Sequence, residues 1–407
     1  MKLVGVVAVV ASLTIAASSA VVGSASASGK APLPHGLGAR AASTSVTSSV
    51  TFAPRAVPAS VDLTKYTAPV GDQGQVGSCV TWAIDYAMLG VYAREQGRRN
   101  SQFAPMYAYS QIQAQAHRRD DGAYPSEAYN ITRTQGVDTK SDYTQGPFNW
   151  QTLPNARERA NAGYARTGGF SDLYANPGYP VGWPGYTRPF GENEKVAIQN
   201  ALSQGRPVAL SMAVLWSFFE LDAQHPWLSA DSEPGATNAD VYGYHEVLIV
   251  GYDQRGVKIQ NSWGTGWGQG GFGYLEWGYL ARSYADPYQP AARDALITFE
   301  LSVLNPFRFP ALHATTLSEN VAATTIRRGA PNLVTTSLRP VHPGTPVTLQ
   351  YSSDNRSWRT LSTVKTNTAS NAGWWVSTTV NRYYRVVYAG DPGWTPAHSR
   401  SVLVRVA

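Results

Sequence analysis

Cys79 is the only cysteine among 407 residues. It stands in GDQGQVGSCVTWA, residues 71–83, with Gln73 six positions before it and a helix-like run directly after. Without a second cysteine it cannot be half of an intramolecular disulfide. Far downstream, HEVLIVGYDQRGVKIQNSWGTGWG, residues 245–268, offers His245 and Asn261. A lone thiol with a distant imidazole and carboxamide is the set that thiol-dependent peptide hydrolysis needs. A helix beginning at Cys79 points its free N–H groups at the sulfur. Together with a histidinium it can bring the thiol from ~8.5 to as low as ~3–4. The side-chain amide of Gln73 and the backbone N–H of Cys79 are then placed to hold a developing oxyanion, at ~3–4 kcal/mol for each donor. Gly74 and Gly77 let the chain turn back tightly enough for this.

The surrounding pattern says which elements carry these residues. Trp82, Tyr86 and Leu89 fall at near-helical spacing and predict a helix over 80–92. A second helix is expected over 192–204, stopped by Gly205-Arg206-Pro207. Strand-like runs follow at 207–214, 247–252 and 257–260. Helix early and sheet late predict an α+β domain in two parts over 58–304. Residues 305–311 read as a linker. Over 312–407 short alternating segments (346–351, 358–364, 383–388 and 401–406) are separated by Gly, Pro, Asn and Asp every ~8–12 residues, the rhythm of an antiparallel β-sandwich. Trp374 and Trp375 are adjacent, so in a strand one enters the core and the other faces out.

GDQGQVGSCVTWA resembles the active-site segment of papain-like cysteine peptidases. GYHEVLIVGY and IQNSWGTGWGQGGFGYL are similar to the same family's histidine and asparagine strands. The resemblance implies a two-part α+β catalytic domain, a helical part plus a β-barrel-like part. It implies Cys79 as nucleophile, His245 as general base, Asn261 orienting the imidazole, Trp263 shielding that bond, and Gln73 at the oxyanion. Asp121-Gly122-Ala123-Tyr124-Pro125 resembles the loop whose backbone holds substrate as an added strand; Ala123 stands where the family has a second glycine. Tyr124, Pro125, Tyr244 and Met212 are expected to line the pocket for the side chain one residue before the cleaved one. Glu246 departs from the small residue common after the histidine. Facing the pocket, it favours Arg or Lys in the substrate; facing solvent or paired with Arg, it leaves hydrophobic or aromatic specificity.

The family's usual disulfides are impossible here, so the fold is expected to rest on packing alone. The segment before the catalytic domain is far shorter than the family's helical inhibitory pro-domain, which leaves inhibition by a short segment in the cleft as the remaining form of latency. PVTLQYSSDNRSWRTLSTV and YYRVVYAGD, within 346–391, resemble the immunoglobulin-like modules of bacterial secreted proteins, with Trp358, Tyr384 and Gly390 as landmarks.

Lys2, the apolar run at 3–17 and Ala25-Ser26-Ala27 have the form of an export signal over 1–27. The apolar run is shorter than the ~20 residues a membrane helix needs, so the chain is expected to be secreted, with no integral membrane segment. Residues 28–57, rich in Ala, Ser, Thr and Pro, read as a short disordered pro-segment or spacer. The net charge of +6 comes from 33 basic and 27 acidic residues spread along the chain; with no basic block, nucleic-acid binding has no support. No metal or cofactor is implied. The expected partners are protein or peptide substrates, with a wall polymer or insoluble protein as a contact for 312–407; nothing indicates an oligomer. The reading is a secreted cysteine endopeptidase. Its rivals are a transglutaminase or cell-wall amidase type of acyl transfer, which Asn261 disfavours, and a catalytically silent binding protein, which the retained Gln73 disfavours.

Overall fold

The computed structural model describes residues 33–40, 57–98, 102–175, 190–285, 294–390 and 393–407. The expected export signal at 1–27 and most of the expected pro-segment lie outside the described residues.

The nucleophile's helix begins at Cys79–Thr81, continues with π-helical hydrogen bonding through Trp82–Met88, and ends with Leu89–Glu95. Helices at Pro105–Gln115 and Pro125–Thr134 pack against it, and one at Ala156–Ala162 adds Ala162 to the same core. The helix at Pro105–Gln115 is buried from Pro105 through Gln113. It therefore has no polar stripe to reveal its period, because apolar residues mark a helix in sequence only when one face is wet. Pro125 starts the next helix, where a missing N–H costs nothing. The Glu127 carboxylate caps it by accepting from the Tyr124 N–H at 2.8 Å. Ile84, Met88, Phe103, Tyr107 and Tyr129 lie in the core these helices share.

The second half is a sheet. Its strands are β1 (Val61–Asp62), β2 (Phe170–Ala175), β3 (Val208–Val214), β4 (Trp227–Leu228), β5 (Gly243–Tyr252), β6 (Gly256–Gln260), β7 (Phe272–Glu276) and β10 (Thr298–Leu304), with β8 (Ser283–Ala285) and β9 (Asp294–Leu296) as a separate pair. The order is β2-β10-β3-β5-β6-β7-β4, with β1 on β5. β3 and β10 are buried along their whole length and β5 is buried from His245 onward, which suits strands covered on both faces. β3 and β5 run antiparallel with Ser211 opposite Glu246 and Met212 opposite His245. Period two then puts Tyr244, Glu246 and Ser211 on one face and His245 and Met212 on the other.

Beyond β10, residues 305–311 are packed against the helices. Phe309 stacks on Phe103 and Phe307 tilts against Tyr92, so apolar side chains tie down what reads in sequence as a linker. The strands that follow are β11 (Thr316–Val321), β12 (Thr325–Ile326), β13 (Pro331–Arg339), β14 (Pro346–Ser352), β15 (Arg359–Lys365), β16 (Asn371–Ser377), β17 (Arg382–Tyr388), β18 (Ala397–His398) and β19 (Val402–Val406). They make one sheet of order β11-β13-β16 and a second of order β12-β19-β17-β14-β15 with β18 on β17. Leu317, Val334 and Trp374 from the first share a core with Leu349, Val386 and Val404 from the second. Trp374 is 6% exposed and Trp375 73%, the split that adjacent strand residues must show.

Candidate active site

Cys79 is the first residue of its helix, with Ser78 at the cap. It is fully buried. The backbone N–H groups of Glu246, Gly38 and Val80 point at its sulfur.

The loop before it is tied to the loop after β6. Gln73 N donates to Ser262 O at 2.9 Å, and Gly264 N donates to Gly71 O at 2.9 Å. Ser262 Oγ donates to Gln73 Oε1 at 2.6 Å. That bond fixes the carboxamide with its Nε2 turned the other way, where it donates to Gly36 O at 3.0 Å and Val76 O at 2.9 Å. Gly74 sits at φ +58, a conformation glycine adopts at no steric cost.

His245 opens the buried part of β5, and Asn261 lies one residue past the end of β6. Their Nε2 and Oδ1 are 2.7 Å apart. Asn261 Oδ1 also accepts from the Ser262 N–H at 2.7 Å, so this atom is the oxygen and Nε2 carries the proton. Nδ1 is then the basic nitrogen, buried and without a protein hydrogen bond. Trp263 lies against the imidazole at 4.6 Å between ring centroids, inside an aromatic cage of Phe218, Phe219 and Trp267. The cage keeps water from the His245–Asn261 bond. Sequence reasoning missed Phe218 and Phe219, which lie on a four-residue helix too short to show a period, and Ser262, whose role exists only through its contact with Gln73.

Residues 35–40 lie along these groups as an extended chain. His35 stacks on Trp263 at 4.8 Å with an interplanar angle of 7°. Gly36 O meets Gln73, Ala39 N donates to Tyr244 O at 3.1 Å, Ala123 N donates to Gly38 O at 2.8 Å, and Arg40 N donates to Ala123 O at 3.0 Å. The Ala39 and Ala123 pairing is parallel. The loop from Asp121 to Pro125 therefore holds a peptide backbone through both polar groups of Ala123. Gly122, at φ +79, could not carry a Cβ, which would sit 2.1 Å from Gly38 O. Tyr124 receives the guanidinium groups of Arg40 and Arg118 on its ring, and Pro125 is buried at the start of its helix. Residues 35–40 thus depart from the expectation of a disordered pro-segment or spacer over 28–57, because paired backbone groups and the close contacts of Gly36 and Gly38 fix them.

Met212 belongs to the core on His245's side of the sheet, not to the Tyr244 pocket, because a strand's side chains alternate. Ser211 takes the pocket-side position. Its hydroxyl donates to the carboxylate of Glu246, which is 1% exposed. The other oxygen of Glu246 has no hydrogen-bond partner. Glu246 and Asp172 interact with Glu300 inside the sheet's cover, and no cation among the described residues forms an ion pair with Glu246.

Burial sets the electrostatics. It pushes the Cys79 thiol up to about 12 and holds His245 down to about 4, the latter against the raising effect of the hydrogen bond that His245 donates to Asn261. Burial likewise raises Glu246 to about 8. With residues 35–40 in place, burial favours the neutral thiol and the neutral imidazole over the ion pair that an exposed helix N-terminus would favour. Among the described residues no cluster of His, Cys, Asp and Glu could hold a metal ion.

Comparison with known proteins matches residues 57–282 to the papain family cysteine protease domain. Cathepsin K of Gallus gallus is 27% identical over 223 residues, 53% of this chain and 58% of that protein. Cysteine proteinase 3 of Entamoeba histolytica is 26% identical over 235 residues, 56% of this chain and 65% of that protein. The chain thus spans less than two thirds of the length of each of these curated relatives. Among solved structures, digestive procathepsin L 3 of the Tenebrio molitor larval midgut is 19% identical with a TM-score of 0.46, over 65% of this chain and 75% of that one.

Proposed function

The chain belongs to the papain family of cysteine proteases, and from that premise we propose that it hydrolyses peptide bonds in proteins, with Cys79 as nucleophile and residues 35–40 holding it latent. The observation that carries this reading is the backbone of residues 36–40 in the cleft, with a peptide carbonyl, that of Gly36, on the Gln73 amide. A cleft that binds main chain through Ala123, Tyr244 and Gln73 is made for peptides and tolerant of side chains.

In the proposed cycle Nδ1 of His245 takes the Cys79 proton and the thiolate attacks the substrate carbonyl carbon. Gln73 Nε2 and the Cys79 backbone N–H hold the oxyanion. His245 returns the proton to the leaving amine, and the acyl group stays on sulfur. A water, deprotonated by the same nitrogen, then releases the acid. Asn261 fixes the imidazole by accepting the Nε2 proton, which leaves Nδ1 to act as the base.

Latency follows from the direction of the bound segment. A substrate held as the sequence resemblance implies passes Ala123 and Tyr244 first and then reaches Gln73. Residues 36–40 pass these groups in the opposite order, so the Gly36–Leu37 bond is not presented for attack. Gly38 seals the contact, since a Cβ there would sit 1.9 Å from Gly77 O. The test is peptide hydrolysis by the full chain carrying Gly38→Ala, with and without Cys79→Ala. Turnover in the first and none in the second is expected; turnover in both would remove Cys79 from the mechanism.

We further propose that Tyr124, Pro125, Tyr244, Ser211 and Glu246 line the pocket for the side chain one residue before the cleaved one, and that Glu246, which no cation among the described residues pairs with, favours Arg or Lys there. Comparing Leu and Arg substrates decides it: equal ratios in wild type and Glu246→Ala would sink the preference. We read β11–β19 as an immunoglobulin-like module, on its two sheets and shared core. Exposed Trp375 is the contact it offers to a wall polymer or insoluble protein. Export rests on residues 1–27 as read in the sequence. No helix among the described residues is long and apolar enough to cross a membrane.

A further inference from the structure

Two loops must stay in register for any reaction in this cleft: the one that ends at Cys79, and the one that holds the peptide backbone at Gly122 and Ala123. No covalent bond can join them, because Cys79 is the chain's only cysteine. They meet at one oxygen. Asp120 Oδ1 accepts from the Gly77 N–H at 2.9 Å and from the Tyr109 hydroxyl at 2.7 Å. The same Tyr109 oxygen accepts from the Gly122 N–H at 3.2 Å. One turn along the Pro105–Gln115 helix, Gln113 Nε2 donates to Gly122 O at 2.8 Å, and its Oε1 accepts from the Asp121 N–H at 3.2 Å. Tyr109 and Gln113 are fully or almost fully buried. Asp120 is held at φ +65, a left-handed conformation that a non-glycine residue adopts at a cost.

We propose that Asp120 and Tyr109 are positioning residues: a hydrogen-bonded clip that sets the nucleophile loop against the substrate-holding loop. The geometry gives the two arms separate jobs. Asp120 grips Gly77, two residues before Cys79, and so acts on the nucleophile. Tyr109 grips Gly122, next to the Ala123 that binds main chain, and so acts on substrate holding. Gly77 packs tightly against the clip, since a Cβ there would lie 3.1 Å from the Tyr109 hydroxyl and 3.2 Å from Asp120 O and would push both aside by a few tenths of an ångström. The clip corrects the expectation that packing alone replaces the missing disulfides.

The proposal rests on the peptidase reading for its kinetic consequences but not for its geometry, and the experiment separates the two. The full chain and its Asp120→Ala, Asp120→Asn and Tyr109→Phe variants are compared by amide exchange at Gly77 and Gly122, by iodoacetamide alkylation of Cys79, and by peptide hydrolysis after release of residues 35–40 through Gly38→Ala. Asp120→Ala is expected to speed exchange at Gly77 and to lower kcat about tenfold, the size of one hydrogen bond to a charged acceptor. Asp120→Asn, which keeps the accepting oxygen, recovers most of that loss. Tyr109→Phe, one oxygen smaller, is expected to speed exchange at Gly122 and raise KM severalfold while kcat and the alkylation rate stay near wild type. If Asp120→Asn is no better than Asp120→Ala, or if both positions change kcat and KM in the same ratio with exchange raised along the whole 105–115 helix, the residues are ordinary structural contacts and the clip is wrong. A wild-type cleft that cuts no peptide after release contradicts the peptidase reading, while exchange at Gly77 and Gly122 still decides the clip.

Discussion

Gln73 donates its side-chain Nε2 to the carbonyl oxygen of Gly36 at 3.0 Å, so the amide expected to hold a reaction's oxyanion already holds a peptide carbonyl of the same chain. The cleft is occupied by its own chain, and the burial of its reactive groups belongs to that occupied state.

Releasing the segment should therefore unmask the thiol. Gly38 leaves no space for a methyl group against Gly77 O, so Gly38→Ala is expected to raise the rate of Cys79 alkylation by iodoacetamide at least tenfold over wild type at pH 7. An unchanged rate, with the variant folded, would mean that residues 35–40 do not cover the sulfur in solution.

Gln73 and Ser262 should lose activity unequally. Removing one oxyanion donor typically costs about 10²–10³ in kcat, which is the expectation for Gln73→Ala in the released chain. Ser262→Ala leaves the carboxamide in place but free to turn, and should cost about tenfold, one hydrogen bond's worth. Steady-state kinetics would refute this ordering if Ser262→Ala were the more damaging.

Acid should loosen the covering segment. Burial holds His245 down to about 4 and lowers His35 as well, despite the raising influence of Asp72; exposed imidazoles titrate near 6.5. The covered form thus binds fewer protons than the open form between these values. Covering is fully favoured above about pH 6.5 and weakens as the pH falls toward 4. Exchange of the Ala39 and Arg40 amides, corrected for intrinsic rate, should be faster at pH 4.5 than at pH 7.5. Equal protection at both pH values would count against it.

The fold as a whole should answer pH in the other direction. Burial raises Asp85, Asp138 and Glu246 to about 8, far above the usual carboxylate range near 4. Between those values the folded chain keeps protons that the unfolded chain has released. This stabilisation is complete below about pH 4 and is lost as the pH rises through 8. The melting temperature should fall from pH 5 to pH 8, and less steeply in Glu246→Gln, which keeps an acceptor for Ser211 without the titration. Identical slopes would show that Glu246 does not titrate in this range.

Much of this was legible in the residues themselves. The helix after Cys79, the helix at Glu192–Ser203 and β3, β5 and β6 follow from spacing and from the Gly and Pro that end them. The wholly buried helix at Pro105–Gln115 shows no apolar stripe, and β2, at the sheet's edge, carries mixed polar and apolar residues that alternate poorly. Met212 was expected to line the pocket beside Tyr244, but the register of β3 on β5 puts Ser211, not Met212, on the face that Tyr244 and Glu246 share, and that register is not visible in the residues of β3 alone. The segment at 35–40 has no periodicity to read. Its place is set by backbone hydrogen bonds to Tyr244, Ala123 and Gln73, and those depend on main chain that composition does not report.

The most direct test of the central claim is the intact mass of the Gly38→Ala chain before and after exposure to an epoxysuccinyl peptide, with Gly38→Ala/Cys79→Ala beside it. The account predicts one covalent adduct on the first, none on the second, and slow or no labelling of the wild-type chain while residues 35–40 remain in the cleft. A folded Gly38→Ala chain whose reduced Cys79 takes no adduct would contradict it.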